Sequence, residues 1–491
     1  MSIKTLSRDL VFYGFLDLLQ RSVSIIIVPI YTRVLTQQEY GNLDIMLITA
    51  SVLCILVDLQ FIAGYSRLYY EHCNEGTGKR FTGTAIVSRL VGSLALSTCF
   101  LVLGFLGALE VSFLPSFKYN TVAWSLAVIH IPLSLTYEVL LLQTRMLRWK
   151  KLFALGTLSN CVLAGTLGAF LAVILEWGII GVVLGLFIGS LTSVLLLGWG
   201  LRKEVQLCFD FKPFKKLARY SLPLLPGWWL AFASAYFGRF FIFSELGANE
   251  NAILAVCMKV ASVIGLFAVA FETAWRPLAM SHIGNAAGNV FYVRSMNLFI
   301  AGSVFSMFCV SVFLDPILYI FVPSTYNAVQ YYFPLFVVGI ALSGIANNLQ
   351  LGHQIAKTTY WISIAAFISF AINLVILIAL TDIYRIFAVG VAWVVSYAAK
   401  DIFVYYTAQK EYHIPYDKKS FIFLLLGCGL LLVLGFVSYR QLIPSWLFIS
   451  CLALSGITLP WLIIKDTEWP IIKELFRQRG LYMFRKFSNI R

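Results

Sequence analysis

Residues 179–201 read IIGVVLGLFIGSLTSVLLLGWGL. None of these 23 residues is charged, and Arg202-Lys203 follow immediately. At about 1.5 Å of rise per residue, such a run crosses the ~30 Å hydrocarbon core of a bilayer. Water is absent there, so each backbone N–H and C=O needs a partner within the segment, which dictates a helix. Similar runs recur over 10–32, 42–65, 83–109, 119–143, 152–175, 219–243, 251–275, 295–320, 330–352, 359–380, 385–408, 420–438 and 445–464. The fold class expected is an all-α polytopic membrane protein of about 14 transmembrane helices. A β-barrel would show short alternating strands instead.

Composition agrees. The 491 residues are 60% hydrophobic and 12% charged, half the charge density of an ordinary soluble domain. The net charge of +14 invites a nucleic-acid reading. The basic residues fall in short segments between apolar runs, however, and no basic-aromatic module accompanies them, so no nucleic-acid partner is expected. The nine cysteines show no C-x-x-C pair, and the five histidines (His72, His130, His282, His353, His413) show no ligand spacing. Neither a metal nor a disulfide framework is indicated, and the histidines are expected mostly at helix ends and loops. Lys4 and Arg8 precede the first apolar run in the manner of a signal peptide. Asp17 and Arg21 within that run, and the lack of a small-residue cleavage site, identify it as a retained first helix.

The loops alternate in charge. One set carries Arg67, Lys79, Arg80, Arg145, Arg148, Lys150, Lys151, Arg202, Lys203, Lys212, Lys215, Lys216 and Arg219. It continues with Arg276, Arg294, Lys357, Lys410, Lys418, Lys419 and the tail residues Lys473, Arg477, Arg479, Arg485, Lys486 and Arg491. The opposite set holds Arg33, Lys118, Arg385 and Arg440. About 28 basic residues against about 4 place both termini on the cytoplasmic side of an inner membrane, as an expectation. The outer connections are short, Glu176-Trp177-Gly178 for example. No large outer loop exists to carry catalytic groups, so no enzyme activity is expected.

An internal match suggests duplication. Arg33-Val-Leu-Thr-Gln-Gln-Glu39-Tyr-Gly41 and Arg239-Phe-Phe-Ile-Phe-Ser-Glu245-Leu-Gly247 both read R-x5-E-x-G, each expected at the outer end of a first hairpin. Six-helix repeats of like orientation follow, related by an axis along the membrane normal. The organisation expected is a six-helix bundle over 1–201, a second over 202–408, and two further helices with a basic cytoplasmic tail over 409–491.

Tyr13-Gly14, Gln20-Arg21, the run from Pro29 through Arg33 to Glu39-Tyr-Gly41, and Glu272-Thr-Ala-Trp275-Arg276-Pro277 together give a resemblance to a known group. The sequence resembles the Wzx-type oligosaccharide flippases of the multidrug/oligosaccharidyl-lipid/polysaccharide exporter superfamily. The resemblance implies two six-helix bundles arranged in a V. It also implies movement of an undecaprenyl-pyrophosphate-linked sugar unit to the outer leaflet by alternating access, for O-antigen or capsule assembly. Membrane lipids, a polysaccharide polymerase and a chain-length regulator are the partners it implies. That group often carries an acidic residue before the arginine matching Arg239. Here Gly238 stands there, which puts an outer-hairpin ion pair in doubt.

Charges deep in hydrocarbon are costly and face a wet cavity or a partner. Arg21, Arg89, Lys259 and Lys400 are the cations so placed, and each is a candidate to meet the pyrophosphate, with guanidinium suited to bidentate contact. Arg21 shares a helix face with Asp17, so a self-neutralised pair is the competing reading. Arg89 lies near enough to the cytoplasmic end to snorkel, and Arg239 lies near the outer end, where snorkelling is the expectation. Asp17, Asp58, Glu138 and Glu272 are candidates for H+ or Na+ coupling, with structural pairing to Lys or Arg as the competing role. No other cofactor is expected. A cation-coupled drug exporter of the same fold would want acidic, aromatic walls, against the cationic set seen. A membrane polymerase would want the long outer loop that is missing.

Overall fold

In the computed structural model the chain is described over residues 3–110, 113–283, 288–440, 442 and 444–464. The basic tail from Lys473 to Arg491 lies outside the described residues. Among those described, nineteen α-helices follow one another. In the first half they are α1 (Ile3–Ile26), α2 (Val28–Val34), α3 (Gln37–Asp58), α4 (Phe61–Asn74), α5 (Gly78–Phe105), α6 (Thr121–Met146), α7 (Lys150–Val173), α8 (Gly178–Leu201) and α9 (Phe211–Ser221). The second half holds α10 (Leu225–Leu246), α11 (Ala248–Ser281), α12 (Gly288–Val312), α13 (Leu314–Phe321), α14 (Val329–Leu349), α15 (Leu351–Ala356), α16 (Tyr360–Tyr384), α17 (Ile386–Glu411), α18 (Lys418–Tyr439) and α19 (Ser445–Ile464). Thirteen helical spans among them are long and apolar enough to cross a membrane. The span expected at 219–243 is helix α10, which carries Arg239 and Glu245 and is not among the thirteen. The protein is a multi-pass membrane protein of all-helical architecture. We call the membrane face where α1 begins the near face and the opposite one the far face.

The core is divided. Buried side chains from Leu35 to Val183 cluster toward the far side of α3, α6 and α8, and a second cluster from Phe61 to Leu217 fills the near side. A third, from Ile242 to Ile463, unites α10–α14 and α16–α19. The final helices α18 and α19 pack on α12 and share that core. Small residues set the closest approaches, as expected where lipid provides no hydrophobic drive between helices. Gly181, Gly185 and Gly189 of α8 each lie where a Cβ would strike the α7 backbone.

Two features depart from the sequence reading. The second span runs to Asn74 rather than 65 and breaks at Leu59-Gln60, both left-handed at φ 47° and 57°. Beyond the break, Tyr65 and Tyr69 bond Gln143 of α6, and Tyr65 also bonds Thr82 of α5 at 2.8 Å. These buried partners hold the extra helical turns that hydropathy alone does not foresee. The basic stretch after α8 contains α9, whose Leu217 and Ser221 seat against Gly64 of α4.

The R-x5-E-x-G match is not matched in position. Glu39 closes a capping box with Thr36 at the start of α3, its side chain accepting from the Thr36 N–H at 2.9 Å. Glu245 remains in the last turn of α10, and Gly247 supplies the turn at φ 85°.

Candidate functional site

α11 is the seam of the molecule, packing against α1 and α3 of the first half and α10, α12 and α14 of the second. At the near end Gly14 of α1 sits so close to Thr273 that a Cβ there would lie 3.1 Å from its Cγ2. At the far end a Cβ on Gly41 would lie 1.9 Å from the Ala248 carbonyl oxygen, so only glycine permits this crossing.

The far end is tied by polar contacts between the halves. Asp44 of α3 receives Arg239 Nη1 at 2.6 Å and Asn251 Nδ2 at 3.2 Å. Asn251 also donates to the Gly41 carbonyl at 3.1 Å. Gln37 donates to the Asn249 carbonyl at 3.2 Å, Thr32 to Phe321 at 3.2 Å, and Arg33 to Ile320 at 2.7 Å. Arg239 and Asp44 are only 12% and 17% exposed, so this ion pair is shielded from water. Arg239 therefore does not snorkel. The acid that the sequence lacks at Gly238 is supplied by the other half, 195 residues away.

Between the two ends lie two of the predicted cations. Arg21 is seven residues beyond Gly14, on the same helical stripe and hence facing α11. It is exposed, and among the described residues no ion pair involves it. Followed outward from the Gly14–Thr273 contact, Arg21 comes ~10 Å along the seam and Lys259 ~21 Å. Lys259 is half-buried beneath the Arg239–Asp44 pair, close enough to be influenced by both charges. Asp17 does not neutralise Arg21. It accepts from Arg145 Nη2 at 3.1 Å through both oxygens, while the guanidinium lies 5.4 Å over the Tyr13 ring and 4.9 Å over Phe153.

Arg89 lies inside the first half, away from the seam, with a fully buried side chain. Asp58 stands 2.5 Å from Nη2 and Glu138 2.8 Å, and Nη1 donates to the Leu135 carbonyl at 3.1 Å. The snorkelling reading is therefore replaced by an internal ion-paired triad. Asp58 is the last residue of α3, so the triad clamps the Leu59-Gln60 break to α5 and α6. Glu272 lies one residue from the Gly14 contact, and its Oε1 is buried without a hydrogen-bond partner. Lys400 lines a separate cavity within the second half.

His72 and His353 lie in the last turns of α4 and α15, as expected of helix ends, yet they are buried polar joints, and His130 sits in the middle of α6. His130 Nε2 meets Ser190 Oγ at 2.8 Å, buried His353 meets Thr407 at 2.9 Å, and His72 meets Thr77 at 3.0 Å. Among the described residues no group of His, Cys, Asp and Glu is arranged to hold a metal ion. The sequence reading missed Asp44, Asn251 and Arg145. Each lies within two turns of a helix end, where a polar residue signals nothing beyond the interface.

Residues 6–283 match the family described as polysaccharide biosynthesis protein. No curated protein matches the chain. Among solved structures, one described as lipid II flippase MurJ in an inward closed conformation superposes with a TM-score of 0.73 at 16% identity, covering 94% of this chain and all of that one. Inward-facing and outward-facing structures of a multidrug resistance MATE family transporter of the MOP superfamily give 0.62 and 0.61, each at 12% identity. They cover 79% and 82% of this chain and 95% of theirs. At such identities the likeness is one of fold.

Proposed function

Because the chain belongs to the polysaccharide biosynthesis protein family, we propose that it is a flippase that carries a lipid-linked oligosaccharide across the bacterial inner membrane by alternating access. Its substrate is an undecaprenyl-pyrophosphate-linked unit destined for O-antigen or capsule, received from the cytoplasmic leaflet and released at the periplasmic one. The near face is cytoplasmic on this reading, since the basic loops gather there, and both termini lie on that side.

The observation that carries the proposal is the pair of cations along the seam. Arg21 and Lys259 stand in succession between the near contact and the far tie, and among the described residues neither is held by a carboxylate within an ion pair. Cations kept at such depth without a partner suit an anionic group that passes them. Arg89, ion-paired with Asp58 and Glu138, supports the bundle instead. Movement requires the two ends to open in turn, and the far tie rests on side-chain contacts between halves that a small rotation would part. The protein performs no covalent chemistry on the substrate, which it hands to a polymerase working with a chain-length regulator. If transport is ion-coupled, Glu272 is the carboxylate among the four candidates that, among the described residues, is not committed to an arginine.

Deletion of the gene should abolish surface polysaccharide while the lipid-linked unit accumulates in the inner leaflet. Arg21→Ala and Lys259→Ala should reproduce that phenotype at normal protein level. Full surface polysaccharide in both variants would refute the roles given to these two residues.

A further inference from the structure

The second half contains a pocket that the seam does not explain. Its walls are Ala231 and Ser234 of α10, Ser343 and Asn347 of α14, Ala366 and Ser369 of α16, with Tyr397 and Lys400 of α17, enclosing about 190 Å³. It exists because α10 is pinched against its neighbours on either side. Gly227 touches Ser363 of α16 and Gly238 touches Val389 of α17, and between them the small side chains of Ala231 and Ser234 leave space.

The pocket is polar and at membrane depth. Ser234 and Ser369 each lie nine residues from the near ends of their helices, and Lys400 eleven from the near end of α17. That places all three ~14–17 Å inward, about half of the ~30 Å hydrocarbon. Ser234 and Ser369 are 3% and 1% exposed, and neither hydroxyl has a hydrogen-bond partner. Asn373, one turn beyond Ser369 on the same stripe, is buried with both amide atoms unpartnered. Lys400 is too deep to snorkel, and among the described residues no ion pair within 4.0 Å involves it. Its Nζ lies 5.9 Å from the Tyr397 ring centre. Asp401, the next residue, does not line the pocket and is turned about 100° away along the helix, although its buried carboxylate is near enough for its charge to act on Lys400. Beside the pocket Phe232 and Tyr236 stack at 4.4 Å.

Unmet hydroxyl and amide groups at this depth are costly unless a ligand completes them. Several such groups with aromatic faces suit a polyhydroxylated ring. One cation suits one negative charge, whereas a pyrophosphate would bring more than Lys400 balances. The space equals about six waters' share of liquid volume, enough for a single ring and too little for a lipid-linked unit. We propose that this pocket is a subsite for one sugar ring bearing a carboxylate, so that the glycan carried is acidic. The inference rests on the flippase reading and adds the substrate class.

Equilibrium dialysis of the purified full chain in nanodiscs tests it, with glucuronate, glucose and inorganic pyrophosphate as probes. Glucuronate should bind saturably, with glucose about tenfold weaker or more, and pyrophosphate should not displace it. Lys400→Gln should weaken glucuronate about tenfold, Lys400→Arg should retain most binding, and Ser369→Val should weaken it by filling the pocket while keeping the charge. Lys410→Gln, at the near end of the same helix, should change nothing. Equal binding of glucose and glucuronate, displacement by pyrophosphate, or no saturable glucuronate binding would each overturn the subsite. The flippase reading stands or falls separately, on accumulation of the lipid-linked unit in the deletion strain.

Discussion

Arg89 shows how a guanidinium persists in a helical bundle: two carboxylates and a carbonyl receive it, and its surroundings hide it completely. Removing one member of such a set strands the others. Arg89→Ala should cost ~3 kcal/mol or more, because Asp58 is left buried and uncompensated. A thermal unfolding scan in detergent would show this as a large drop in midpoint, and an unchanged midpoint would contradict the triad. The contribution of Glu138 is smaller, since its side chain is 53% exposed and water screens it. Arg21, Lys259 and Lys400 were legible in the sequence because a charge inside an apolar run stands out locally. Their partners, or lack of them, were not legible. Asp44 lies 195 residues from Arg239 and Asp17 128 residues from Arg145, and nothing in either stretch encodes the other.

Helices were legible because apolar length is a local property, although some ends lie well away from the expected ones, as at Asn74 against 65 and Val312 against 320. Their breaks were less so. Leu59-Gln60 contains neither glycine nor proline, yet both residues adopt a left-handed backbone that costs an ordinary residue ~1 kcal/mol. Gln60→Gly should therefore raise stability by up to ~1 kcal/mol, read as a higher unfolding midpoint. A fall would mean that the Gln60 side chain supports the break. The crossing of α3 and α11 depends on Gly41 in the opposite sense. Gly41→Ala should force α3 off the Ala248 carbonyl and separate Gln37 from Asn249. Disulfide formation between cysteines placed at 37 and 249 should then fall well below that of the glycine parent, and an equal yield would rule out the tight crossing.

At the level of the molecule, the far face is held shut by a small number of contacts between halves, with Arg239–Asp44 the shielded ion pair among them. Asp44→Arg alone should open that face, and Asp44→Arg with Arg239→Asp should close it again. Ser262 lies three residues beyond Lys259 on α11 and is half-buried, and labelling of Ser262→Cys by an impermeant maleimide added from the far side would report both. Labelling that is unchanged by the single substitution would show that the pair is not what closes the face. The chain's family agrees with the motifs around Arg33 and Arg276. The R-x5-E-x-G match was less informative. A repeat in sequence fixes register only if the same residues occupy the same turns, and here Glu39 opens one helix while Glu245 ends another.

The seating of α9 on α4 has a mechanical consequence. Only residues 222–224 separate α9 from α10, so the near end of α10 is leashed to the first half through Leu217 and Ser221 against Gly64. A body tethered at one edge swings about that edge. The leash limits how far the near end of α10 can part from the first half, so the two rims are not equally free to open.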